Sequence, residues 1–336
     1  MKISVIGSGS WGTALSQVIV DNGYECLLYS RDKKIKNEIN LEHTNRKYLK
    51  DIVLPEKLVA TSSLEEAVQY GDLLVVAVPT KAMREVCKDI NKYLDKSKYI
   101  IHVSKGLEID TNLRMSEVIK EVIDKKNLKA VGILSGPSHA EELILRHPTV
   151  VAIASEDTEL NQLAQKIFQN KYFRIYVNQD IIGVEIGGAL KNVIALGCGI
   201  IDGLGLGDNA KAALITRGLI EITRMGKKLG AKELTFLGLG GIGDLVVTCT
   251  SIHSRNYKCG LLIGKGHTLD ESTEKLNMVV EGVRTAKVCH QLAKENNVYM
   301  PITENIYKVL YEKMSLEDCV SNLMSGIATE ELNRFE

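Results

Sequence analysis

No net charge is left on this chain. Its 336 residues carry 42 Lys+Arg against 42 Asp+Glu, so the formal charge at pH 7 is zero. Bulk electrostatics therefore offers nothing to a nucleic acid or an anionic membrane surface. Cys26, Cys87, Cys198, Cys249, Cys259, Cys289 and Cys319 are odd in number, scattered, and contain no C-x-x-C. The seven histidines include no H-E-x-x-H. A structural zinc site is thus not expected, and the thiols read as reduced packing groups of a cytoplasmic protein. The chain opens on a strand-like segment rather than a charged-then-apolar leader, so no signal peptide is expected. The longest apolar stretch, around Val193 to Ile201, is too short to span a bilayer, and no membrane insertion is expected. Repeats and low-complexity segments are also missing. The length suits two domains better than one core.

What is present begins at once. Gly7-Ser8-Gly9-Ser10-Trp11-Gly12 is a G-x-G-x-x-G turn. The β-branched run Ile3-Ser4-Val5-Ile6 precedes it, and a helical stretch follows to about Asn22-Gly23. Strand, glycine turn and helix present backbone N–H groups and a helix N-terminus to a pyrophosphate. Gly7 permits the turn, Gly9 lets the backbone approach the ligand, and Gly12 lets helix lie on strand. Trp11, the single tryptophan, could close over a cofactor or pack beneath the loop. The second strand, Glu25 to Ser30, ends in Arg31-Asp32 rather than directly in an acid. A guanidinium there suits a 2′-phosphate, whereas Asp32 could instead meet a ribose hydroxyl. NADP(H), NAD(H) or both are therefore admitted.

Strand and helix signals alternate to about residue 180, through the buried strand Asp72–Pro79, the strand Tyr99–Val103, and Val131–Leu134. Repeated βαβ units imply an α/β fold with a doubly wound sheet. From about Ile181 the strand signals vanish and helical spacing takes over. Helices are expected near 181–201, 208–229, 232–238, 242–248, 255–264, 271–277, 282–297, 303–312 and 316–325. Residues 1–180 are thus read as a dinucleotide-binding domain and 181–336 as an all-α domain. Ligands of open α/β sheets lie beyond the carboxyl ends of the strands. The loops Gly7–Gly12, Pro79-Thr80, Ser104–Gly106 and Ser135–Ser138 are expected there, with the helical domain closing a cleft over that edge.

Three clusters can carry chemistry. Lys105 follows a core strand and precedes a glycine. Lys191 lies in an otherwise apolar helix and must snorkel or face a polar cavity. The adjacent pair Gly187-Gly188 is costly in a helix and implies close approach by another element. An amine whose pKa is lowered by burial and a second ammonium can give a proton to an alkoxide or take one from an alcohol. Asp244, after a glycine-rich turn, is the candidate to orient it, and a helix N-cap role is open to it as well. Ser254-Arg255-Asn256, at a helix start, suits a phosphate dianion.

These pieces, in this order, resemble the NAD(P)-dependent glycerol-3-phosphate dehydrogenases, most closely the bacterial type. The resemblance runs from about residue 3 to 325. It is carried by GSGSWGTAL (7–15), SKGLE (104–108), SGPSHAEE (135–142), the long block 187–218, GIGDLVVTCTS (241–251), SRN (254–256) and VVEGVRT (279–285). It implies a Rossmann domain, a helical domain, and reversible reduction of dihydroxyacetone phosphate to sn-glycerol 3-phosphate, the phospholipid backbone precursor. Carried over residue by residue, Lys191 would exchange the proton beside Lys105 and Asp244, with help from the Thr248 hydroxyl. Ser254, Arg255 and Asn256 would hold the substrate, with Gly136 and Ser138. Ser10, Trp11, Arg31, Lys105, Ala140, Arg255, Val279 and Glu281 would contact the dinucleotide. No metal is implied, and a homodimer is. Asp32 stands where the family often has an aromatic or basic residue, which leaves the choice between NADPH and NADH open. A β-hydroxyacid dehydrogenase would also use a helix lysine, but with an Asn four residues later; here position 195 is Ala and the Asn is adjacent, Asn192. A non-catalytic dinucleotide sensor would not need Lys191 and Asp244 together.

Overall fold

The chain alternates strand and helix first because its strands are apolar on both faces. The computed structural model describes residues 1–276 and 279–325. It divides into two compact units, one formed by Met1–Ser104 with Leu113–Ile181, the other by Lys105–Asn112 with the described residues from Ile182 on. The first unit contains β1 (Lys2–Ile6), α1 (Ser10–Asp21), β2 (Glu25–Tyr29), α2 (Lys33–Glu42), β3 (Val59–Thr61), α3 (Leu64–Tyr70), β4 (Leu73–Val76), α4 (Met83–Tyr93) and β5 (Lys98–His102). It continues with α5 (Met115–Val122), β6 (Leu128–Ser135), α6 (Ala140–Leu143), β7 (Thr149–Ala154), α7 (Thr158–Phe168) and β8 (Phe173–Asn178). These strands form one sheet in the order β3-β2-β1-β4-β5-β6-β7-β8. Ile3, Val5, Leu28, Leu73, Val75 and Ile101 enter one core layer, while Ile6, Leu27, Leu74, Val76 and Ile100 enter the other. This period of two, buried on both sides, is what a helix-covered parallel sheet requires. The doubly wound sheet and the helical remainder expected from the sequence are both present.

The sheet differs from an all-parallel one at a single junction: β7 runs antiparallel to β6, with Ile133 opposite Ala154. A parallel return needs a crossover, usually a full helix. Between Ser135 and Thr149 the chain forms only the four-residue α6, so it doubles back. Lys98 is a second departure from simple patterning. Its side chain is fully buried, and its ammonium donates to the carbonyls of Val68, Gln69 and Gly71, closing the carbonyl end of α3.

The second unit comprises α8 (Ile181–Leu204), α9 (Gly207–Lys228), α10 (Asp244–Thr250), α11 (Arg255–Gly264), α12 (Leu269–Leu276), α13 (Glu281–Asn296), α14 (Pro301–Tyr311) and α15 (Leu316–Met324). Position 277, assigned from sequence to a helix end, and positions 326–336 of the second domain lie outside the described residues. Grouped from sequence with the first 180 residues, segment 105–112 instead belongs to this unit, because Leu107 is buried in the helical core. α8 is longer than the apolar stretch read from sequence. By length and hydropathy it could cross a bilayer, yet 94% of that window is buried inside the protein. It is the central helix of its unit.

Glycines set how closely its neighbours approach. A Cβ at Gly187 would lie 2.3 Å from the carbonyl oxygen of Gly240, and one at Gly199 would lie 2.1 Å from that of Tyr257. From the opposite side, a Cβ at Gly260 would lie 2.0 Å from the carbonyl oxygen of Leu196. Backbone therefore rests on backbone where α8 meets α11 and the turn before α10. The close approach implied by Gly187-Gly188 is to the very turn that delivers Asp244.

Candidate active site

In the first unit, the glycine turn is shaped for a ligand. Gly7 adopts φ +121°, and a Cβ there would strike the Ala77 carbonyl at 2.4 Å. A Cβ at Gly12 would lie 1.9 Å from the Gly7 carbonyl oxygen, so α1 can lie on β1 only as glycine. At Gly9 nothing lies within 4 Å of the same position, which leaves the backbone open on that side. Gly9 is the N-cap of α1, no side chain caps the helix, and its first turn holds no acid. Unclaimed N–H groups at a helix start with an open backbone face fit a pyrophosphate. Asn45, fully buried, fastens the turn by donating to the Ser8 carbonyl and the Thr13 hydroxyl, each at 2.9 Å. No local pattern marked Asn45 in the sequence, because its partners lie more than thirty residues away.

Other first-unit candidates have distinct places. Ser10 starts α1 and its hydroxyl donates to the Tyr48 carbonyl at 3.5 Å. Trp11 packs half-buried against the sheet core, with its indole N–H buried and without a partner. Arg31 is exposed at the end of β2. Gly136 adopts φ +150°, with a Cβ position 2.9 Å from the Val151 backbone, and accepts a 2.8 Å bond from the Ser138 hydroxyl. Ala140 is buried at the start of α6.

The second unit holds a buried ionic cluster. Lys191 Nζ donates to Asp244 Oδ1 at 2.5 Å and to Thr248 Oγ1 at 2.7 Å. Thr248 in turn donates to the Asp244 backbone carbonyl at 2.6 Å, which fixes its lone pairs toward the lysine. Lys105 Nζ donates to Asp244 Oδ2 at 2.7 Å. Each carboxylate oxygen thus faces one ammonium. Burial dominates at Lys191 and, together with the Lys105 charge, pulls the amine down to about 8, against the upward pull of Asp244. At Asp244 burial acts upward, but the two ammonium groups outweigh it and hold the carboxyl below its ordinary value. Asp244 is the first residue of α10 and Gly243 is its N-cap, so the carboxylate is not spent on capping.

The Ser254-Arg255-Asn256 group divides by role. Ser254 caps α11, accepting from Tyr257 N at 3.2 Å. Arg255 is exposed, with a long 3.5 Å bond to the Val279 carbonyl. Asn256 is buried and donates to Asn192 Oδ1 at 2.8 Å, while it accepts from Gly282 N at 2.8 Å. Asn192 donates onward to the Lys105 carbonyl at 3.2 Å. This relay ties α13, α11 and α8 to the segment that carries Lys105. Glu281 opens α13. Among the described residues no group of three or more His, Cys, Asp or Glu side chains could hold a metal ion.

A glycine turn with an open backbone face at a helix start, and a buried amine of lowered pKa in a helical unit, are the parts of a dinucleotide-linked dehydrogenase. Family profiles described as the NAD-dependent glycerol-3-phosphate dehydrogenase N-terminus and C-terminus match residues 2–161 and 180–321. The chain belongs to the NAD-dependent glycerol-3-phosphate dehydrogenase family. It is 56% identical over 331 residues to glycerol-3-phosphate dehydrogenase (NAD(P)+) of Macrococcus caseolyticus, covering 98% of this chain and all of the relative. It is 54% identical to the Listeria innocua protein of the same name, covering 96% of each. The crystal structure of glycerol-3-phosphate dehydrogenase from Coxiella burnetii superposes with a TM-score of 0.91 at 34% identity, covering 96% of this chain and 98% of that one.

Proposed function

We propose that the protein reversibly reduces dihydroxyacetone phosphate to sn-glycerol 3-phosphate with NADPH or NADH, supplying the glycerophospholipid backbone. The observation that carries this reading is the buried Lys191–Asp244–Lys105 cluster, found in a chain whose two halves match the two family profiles. When bound, the nicotinamide cofactor supplies or accepts the hydride. Lys191 handles the proton. Two of its three N–H bonds go to Asp244 and Thr248, and the third is left for the substrate oxygen. In the reducing direction the ammonium gives its proton to the carbonyl oxygen as the carbon gains hydride; in the oxidising direction the neutral amine takes the hydroxyl proton. Lys105 stabilises negative charge on that oxygen and keeps the amine's pKa low. Asp244 and Thr248 orient Lys191. Arg255 supplies a guanidinium fork to the phosphate, and Ser254 and Asn256 shape the helix start beside it. Gly136 and Ser138 complete the substrate contacts.

Gly7, Gly9, Ser10, Trp11 and Gly12 hold the dinucleotide phosphates, and Arg31 meets its adenosine end. Ala140, Val279 and Glu281 complete the cofactor contacts with Lys105 and Arg255. Residues 1–180, apart from segment 105–112 that packs with the helical unit, serve as the dinucleotide domain and 181–336 as the substrate domain. The use of α8 as a core helix supports a protein without membrane insertion, and a cytoplasmic homodimer is carried over with the family resemblance. The test is a nicotinamide-absorbance assay with dihydroxyacetone phosphate and each cofactor. Turnover that drops sharply with unphosphorylated dihydroxyacetone is expected. Absence of turnover with both cofactors overturns the reading.

A further inference from the structure

The adenosine end of the cofactor site is more cationic than its single arginine suggests. Ser30, at the end of β2, is fully buried; its hydroxyl accepts from Ser8 at 2.7 Å and donates to the Asp32 carbonyl at 3.1 Å. It has no charge to offer a ribose. Asp32 is also committed. Its Oδ1 accepts from Lys34 N at 2.9 Å, capping α2, and its Oδ2 lies 3.6 Å from Lys47 Nζ. The capping N–H first, then Lys47, hold this carboxyl below its ordinary value. Arg31 precedes it, Lys33 and Lys34 open α2 after it, and Lys47 pairs with it from a distant turn. Arg46 is neutralised by Glu42 at 2.5 Å and Glu38 at 3.6 Å. Arg31 follows the end of β2, and Lys47 is the lysine whose ammonium meets the Asp32 carboxylate.

Lys47 is well placed to move. Its side chain is 58% exposed, and a 3.6 Å surface pair is weak. Its backbone is not loose, because it sits in the turn that Asn45 fastens to the dinucleotide loop. Tyr48 N and Leu49 N both donate to the Asn45 carbonyl, at 3.1 and 2.8 Å. The loop that holds the pyrophosphate thus also holds the lysine.

Resting on the reading above that this turn binds NAD(P)(H), we propose that Lys47 is the second cation, with Arg31, that receives the 2′-phosphate of NADP(H). It exchanges Asp32 for the phosphate when NADP(H) binds and keeps Asp32 when NAD(H) binds. A phosphate dianion outcompetes a single exposed carboxylate for an ammonium, while NAD(H) leaves the resting pair intact. Dual cofactor use follows from one lysine with two acceptors.

The experiment is calorimetric titration of 2′,5′-ADP and 5′-AMP into the wild-type protein, Lys47→Met and Lys47→Arg. Loss of one phosphate cation should weaken 2′,5′-ADP about tenfold and 5′-AMP less than about twofold, with Lys47→Arg restoring most of the loss. The ratio of KM for NADPH to KM for NADH should rise in Lys47→Met by a similar factor. Equal weakening of both nucleotides, or of neither, overturns the proposal. Nucleotide binding as expected without reduction of dihydroxyacetone phosphate would instead sink the reading of the reaction and leave Lys47 in its role.

Discussion

Lys191 carries a charge where charge is costly, and that cost sets its chemistry. Burial first, and the Lys105 charge with it, bring its pKa down to about 8 against the upward pull of Asp244. In the proposed role the protonated amine is the form that gives its proton as a ketone is reduced, so kcat for dihydroxyacetone phosphate should fall as pH rises through about 8. The neutral amine is the form that takes the hydroxyl proton as the alcohol is oxidised, so the reverse kcat should fall as pH drops through the same region. Asp244→Asn removes the main partner that raises the amine, with Cys249 a smaller one, while leaving burial and Lys105 in place. Its breakpoint should move to lower pH, and an upward move would contradict the assigned causes. Lys191→Ala should retain cofactor binding, measured by fluorescence titration, and lose turnover by about 10²-fold or more.

At the scale of elements, the site depends on how near α8 lies to its neighbours. Lys191 and Asn192 are on α8, Asn256 is on α11, and Asp244 follows the turn that rests on Gly187. Glycine at 187, 199 and 260 removes the side chains that would keep these backbones apart. Gly260→Ala places a Cβ 2.0 Å from the Leu196 carbonyl oxygen, so α11 must move off α8. The expected cost is about 1–3 kcal/mol, read as a lower urea midpoint at constant slope. Gly9→Ala is the contrasting case. Its Cβ meets nothing within 4 Å, so the midpoint should hold while cofactor affinity falls. The glycine pair 187-188 announced this closeness in the sequence but not its partner. The antiparallel β7 was not legible, because strand composition is the same in either direction and only the shortness of α6 decides it.

For the whole molecule, the parts of the candidate site legible in the sequence are those in motifs whose local form is dictated by glycine or by a charge in an apolar run. Gly7–Gly12, Lys191 and Asp244 are of this kind. Lys98, Asn45 and Asn192 were not, since each answers to backbone carbonyls or amides distant in sequence. That segment 105–112 packs with the helical unit was not legible for the same reason: nothing near Leu107 says that its core lies beyond residue 181. The cysteines, by contrast, follow composition closely, and they give a test of the packing of both units at once. All seven are free and buried. Burial pushes Cys26 and Cys87 up to about 12 and Cys259 and Cys319 up to about 11. Thiolate is the reactive form, so near pH 8 these groups should react at least about a hundredfold more slowly than an ordinary thiol of pKa near 8.5. A chromogenic thiol reagent should therefore find almost none in the native protein and all seven after denaturation. One rapid equivalent in native buffer, mapped by peptide mass, would show that the core around that cysteine opens more readily than its packing allows.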